Sequence, residues 1–134
     1  MSRNQQWIEE RLEQIWNSLF PEVPKMNKVV IKFKGKSKHR FGHITKKEED
    51  THIIVNSLFQ NELVPEYIID VTIAHELVHY MHGFFSPLPQ LYKYPHQGNI
   101  VNKELKKRGY GDLLKLEKKW IKNEWFKLHQ TLKS

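Results

Sequence analysis

The chain contains no cysteine. Disulfides and cysteine-built zinc ribbons are therefore excluded, and any metal site must draw on His, Asp or Glu. No apolar run approaches the roughly 20 residues that a membrane-spanning helix needs. Residues 1–16 are polar and amphipathic and lack the apolar core of a signal peptide, so a cytoplasmic protein is the expectation. Internal repeats and low-complexity segments are also missing. Glycine and proline are few, 6 of each in 134 residues, and three of the prolines crowd into residues 83–97.

What remains reads as one soluble globular domain over residues 1–134, with 39% hydrophobic and 28% charged residues. Its length suffices to bury about two-thirds of the unfolded surface. Basic residues outnumber acidic ones, 22 to 15, giving a net charge of +7. Such a balance favours polyanionic partners, but it concerns association and not fold.

Trp7, Ile8, Leu12, Ile15, Trp16 and Leu19 recur at three- and four-residue spacing, which predicts an opening helix over residues 4–20. Asn4 suits its start and Pro21 follows its end. Residues 28–56 predict a small three-stranded antiparallel sheet, with strands at 29–34, 40–45 and 51–56. Lys32, Lys34, Lys36, Lys38 and Arg40 alternate with other residues, so several should share a face. That face is either solvated, protecting an edge strand from aggregation, or a contact for DNA. Residues 99–108 predict a short helix ended by Gly109. Residues 112–133 predict a last helix, with Leu114, Ile121, Trp125, Leu128 and Leu132 on one stripe and Lys115, Lys118, Lys119 and Lys122 opposite. The whole is α+β.

Between these lies the most informative stretch, His75-Glu76-Leu77-Val78-His79. Pro65 and Glu66 suit the first turn of a helix, and Gly83 suits its end. Residues 67–73 are rich in β-branched types and taken alone would pass for a strand. The length of the apolar run decides for a buried helix. There, His75 and His79 are about 40° apart and displaced by about 6 Å, so both imidazoles can reach one metal ion. Glu76, roughly 100° round, can touch a water on that metal without being a ligand. This is the pattern of a zinc hydrolase with Glu as general base. The bland alternative is two ordinary histidines with a glutamate between them, but an apolar context makes unpaired polar groups costly.

A catalytic zinc wants three protein ligands and one open position. His96, 17 residues after the motif, is the first candidate, and Glu104 is the rival. His82 lies too far along the helix, about 10 Å from His75. His39, His43, His52 and His129 have no metal spacing. Residues 83–97, with three prolines and four aromatics, form a loop long enough to be functional.

The His-Glu-Leu-Val-His motif, His96 near a glycine, and the following segment ending in Lys106-Lys107-Arg108-Gly109-Tyr110 resemble the SprT-like zinc metallopeptidase domain. The likeness covers residues 5–111, and its specific part is the two motifs. It implies a zincin-like fold: N-terminal helix, small sheet, active-site helix and two C-terminal helices. It implies Zn²⁺ held by His75, His79 and His96, with Glu76 catalytic. The chain departs from the family in placing Gln97 between His96 and Gly98, and in having Val101 where an aromatic is usual. Spartan-type relatives act on DNA-crosslinked proteins. A small gluzincin with Glu104 as third ligand is the nearest competitor. Metzincins are disfavoured because Phe85 holds the position of their third histidine.

The first expectation is thus a zinc metalloendopeptidase acting on protein or peptide, with a possible DNA contact through the basic residues. Tyr92, Tyr94 and Tyr110 are candidate oxyanion donors. The second is a non-enzymatic basic nucleic-acid-binding module whose histidines hold a structural metal or none.

Overall fold

Helix α1 (Gln5–Leu19) begins where the Asn4 side chain accepts a hydrogen bond from Trp7 N, a side-chain N-cap. Ile8, Leu12, Ile15 and Trp16 form its buried stripe. The structure, a computed structural model, describes residues 2–133; Met1 and Ser134 lie outside the described residues. Strands β1 (Val29–Phe33), β2 (Gly42–Lys47) and β3 (Asp50–Val55) follow. A short 3-10 turn (Ser57–Gln60) leads to the long helix α2 (Glu66–Met81). Arg11 reaches across to both Glu66 and Asp70, tying α1 to the start of α2. Among the described residues no helix is long and apolar enough to cross a membrane.

The sheet is mixed, not wholly antiparallel as the sequence predicts. Its order is β1-β3-β2, with β1 parallel and β2 antiparallel to β3. The reason lies in residues 34–41, which form no hairpin. Gly35 turns the chain at φ +89°, and its carbonyl accepts from Ser57 N and Oγ. Asn56, just past β3, donates to the carbonyls of Ser37 and Arg40, and its own N–H binds Phe41 O. The segment is thereby carried over the end of β3 to its far side, where β2 starts. The β2–β3 hairpin itself is tight, with Glu48 and Glu49 between the paired Lys47 and Asp50 and Glu48 left-handed at φ 56°.

Register places Ile31, Ile53 and Ile44 in one row across the sheet, all buried against the helices. Burying each contributes roughly 1.5–3 kcal/mol relative to exposure. The opposite face carries Lys32, His43, His52, Thr45 and Lys47. After α2 and a loop, a 3-10 turn (Gln97–Asn99) opens α3 (Ile100–Leu105), which continues as a π-helical turn (Lys106–Tyr110). The last helix runs from α4 (Gly111–Trp120) through a second π-helical turn (Ile121–Trp125) into α5 (Phe126–Lys133). Trp125 is fully buried, in edge-on contact with Phe41 and Phe59 and stacked on Trp120. Its Nε1 donates to Lys38 O, and His129 Nε2 binds Lys36 O. The last helix therefore clamps the segment that crosses the sheet.

Candidate metal centre

The end of α2 decides where the third histidine can go. Gly83, at φ +82°, follows the cap residue His82. Its N–H binds Tyr80 O, and Phe84 N–H binds His79 O. This pair of bonds is a Schellman motif, which stops the helix and turns the chain back. A side chain at 83 would also strike Pro89 O at 2.3 Å, so the returning loop needs the glycine. The loop is pinned as it goes: Ser86 Oγ donates to Tyr80 O, Leu91 N to His82 O, and Thr51 Oγ1 to Phe85 O. It then delivers His96 to the exposed side of α2.

His75 Nε2 and His79 Nε2 each lie 3.1 Å from His96 Nε2. Nitrogens held 2.0–2.1 Å from a tetrahedral zinc stand about 3.3 Å apart. Hydrogen bonding alone does not satisfy this arrangement, because His96 Nε2 offers either one N–H or one lone pair to the two nitrogens that face it. The three side chains fit a single cation, and they are the group of this kind found among the described residues. Burial pushes His75 down to about 4, with His96 adding repulsion. Burial likewise pushes His79 down to about 3, helped by His75, His96 and His82. Both rings are thus held neutral with lone pairs available, as a metal ligand must be.

Glu76 is 4% exposed. Burial pushes its carboxyl up to about 8, against the pull of the Arg40 charge. A divalent cation at the histidines would favour the ionised form. Strand β2 comes unusually close to it. A Cβ at Gly42 would stand 2.6 Å from Thr72 Cγ2, 2.8 Å from Ile54 O and 3.4 Å from Glu76 Oε2. Only glycine lets β2 lie against α2 at this level.

These groups open onto a cleft of about 610 Å³, bounded by α2, by residues 38–44, by the loop at Phe85, Pro95 and His96, and by the last helix at Leu114, Glu117 and Ile121. His75, Glu76, His79 and His96 come together as the sequence predicts. Glu104 does not join them. It pairs with Arg108 Nε at 2.8 Å, and that arginine also binds Leu19 O and Glu22. Arg108 is thereby a structural tie between α3, α1 and the segment after it. His82 is buried under the Tyr92 ring, outside the cluster.

Tyr92, Tyr94 and Tyr110 do not line the cleft; Arg40, His43 and Asn102 do. The basic residues also need correction. Only Lys32 lies in a strand, while Lys34, Lys36, Lys38 and Arg40 belong to the clamped crossing segment. Lys38 turns toward the cleft and lies over the Phe126 ring at 5.1 Å. Sequence reasoning missed Gly42 and Glu117. A lone glycine at the start of an apolar-alternating run was the available sign of a close backbone approach. No family model, curated protein or solved structure matches the chain.

Proposed function

We propose that the chain is a zinc-dependent metallopeptidase that hydrolyses peptide bonds in protein or peptide substrates. The observation carrying this reading is the convergence of three imidazole nitrogens beside a buried carboxylate, in an open cleft. His75, His79 and His96 would hold the metal. When bound, zinc supplies Lewis acidity toward the scissile carbonyl and lowers the pKa of water. Glu76 takes the proton of the attacking water and passes it to the leaving nitrogen; a carboxyl raised toward neutrality suits both transfers. Among the described residues strand β2 pairs only with β3, so its outer edge is free of strand partners there. An extended substrate can add to that edge and lie along the cleft. Arg40, His43 and Asn102 are the cleft's donors toward a developing oxyanion.

The resemblance to SprT-like domains supports the same ligand set. The test is direct. Protein stripped by a chelator should cleave no unfolded protein substrate, and one equivalent of zinc should restore turnover. Full turnover by the stripped protein would reject the reading.

A second observation favours contact with DNA. A recess of about 410 Å³ on the outer face of the sheet is lined by Lys32, Lys34, Lys36, Arg40 and Lys47, with no acidic side chain among the described residues of its walls. Residues 40–43 line both this recess and the cleft. A bound strand would therefore hold a protein substrate near the histidines. If about five phosphates are neutralised, log K should fall with log salt at a slope near −4 to −5 on duplex DNA. Changing Lys32, Lys34 and Lys36 to Ala should flatten that slope by about one unit for each phosphate no longer neutralised, with zinc content unchanged. A slope indifferent to the three changes would leave these lysines as a solvated face.

A further inference from the structure

Glu117 has no part in the chemistry described above, yet its carboxylate lies on the wall of the same cleft. Leu114, Glu117 and Ile121 follow at three- and four-residue spacing, so they share one face of the last helix. All three line the cleft, as does Val71 of α2. Val71 stands one turn, about 6 Å, before His75 on the same side of its helix. On its own helix the carboxylate is flanked by Leu114 and Ile121, on a cleft shared with Val71 and the histidines; the Tyr67 hydroxyl, near enough to feel its charge, donates to Leu116 O. It is half-buried. Burial alone pushes it up to about 7, and among the described residues no cation or hydrogen-bond donor offsets the cost. The basic residues of the opposite wall, Lys38 and Arg40, do not neutralise it.

A half-buried acid flanked by aliphatic side chains has lost part of its hydration, and a cationic group bound beside it would offset that loss. The natural complement is a side chain with an apolar stem and a cationic end, since lysine and arginine lay their methylenes on apolar surface and carry the charge at the tip. We infer that Glu117, with Val71, Leu114 and Ile121, forms a subsite for a lysine or arginine side chain of the substrate. Its consequence for cleavage rests on the peptidase reading; the subsite itself does not.

The inference is tested with peptides identical except for one position carrying Lys, norleucine or Glu, that position being moved stepwise along the peptide. Two readouts are taken on the full zinc-loaded chain: kcat/KM for the wild type, and equilibrium binding to the E76Q protein. At one position, Lys should be preferred to norleucine by about tenfold in both, the scale of a hydrogen bond to a charged group. Adding E117Q should bring the ratio to about one, and E117K should reverse it in favour of the Glu peptide. A merely structural glutamate would not move the ratio, and still less invert it. No Lys preference at any position, a preference untouched by E117Q and E117K, or no peptide binding at all would each overturn the subsite. A binding preference that disappears with Glu117, in a wild type that cleaves none of the peptides, would uphold the subsite and reject the peptidase reading.

Discussion

Replacing Glu76 with Gln is expected to slow cleavage of an unfolded protein substrate by about 10²–10⁴-fold while zinc stays bound. The residue sits one position past His75, so its side chain leaves the helix in another direction and is not needed as a ligand. Gln keeps the volume in a site walled by Thr72 and the backbone at Gly42, but it cannot take a proton. Folding provides the control. In the metal-free protein the Glu76 carboxyl is raised from its ordinary value to about 8. Between pH 4.5 and 8 the unfolded chain has released that proton while the folded chain retains it. The contribution of Glu76 to stability therefore falls as pH rises through this window. Metal-free E76Q should lack this decline and should melt above the wild type at about pH 8, with the two converging near pH 4.5. Thermal melts across that range check it. Wild-type turnover in E76Q would remove Glu76 from the mechanism.

The helices were legible because their ends are locally encoded. Asn4 caps α1 with its own side chain, and Gly83 closes α2 through a left-handed turn that only glycine adopts without strain. The buried face of α2 was legible too, although residues 67–73 taken alone favour a strand. The order of the sheet was not. Adjacent strands usually pair, and residues 35–38 offered a plausible turn. What carries the chain past β3 instead is Asn56, Trp125 and His129 reaching back by 16 to 93 positions. No local pattern records such bonds. They also explain why the alternating lysines do not share a strand face: their positions are set by carbonyls clamped from afar and not by the pleat of a strand.

The placing of His75 and His79 on one side of α2 followed from helical spacing alone. Which of His96 and Glu104 comes to lie beside them did not, because it depends on where a loop of more than a dozen residues returns. Bonds between that loop and the end of α2 settle the return, together with an arginine that occupies Glu104. The cleft's far wall was hidden for a different reason. Glu117 lies in a helix whose neighbours Lys115, Lys118 and Lys119 are solvent-facing, and its own burial depends on packing of α4 against α2.

Replacing His96 with Ala should cost zinc affinity far more than the roughly 10- to 100-fold typical of losing a group that merely orients a ligand. Its Nε2 is the atom to which both other imidazoles converge, at 3.1 Å each. Without it two histidines remain, one helical turn apart, and solvent must supply the rest of the coordination. Glu104→Ala should leave zinc affinity close to the wild type. That carboxylate is committed to Arg108, which keeps its bonds to Glu22 and Leu19 O when Glu104 is removed. The fold should survive both changes, since His96 is exposed on the loop and α3 retains its buried Val101 and Leu105. A competitive titration with a chromogenic chelator ranks the two variants. Weaker binding in E104A than in H96A would transfer the third ligand to Glu104 and make the centre that of a gluzincin. The expected ranking follows from geometry: a ligand must reach the ion with a free lone pair, and His96 does so whereas Glu104 is turned to an arginine.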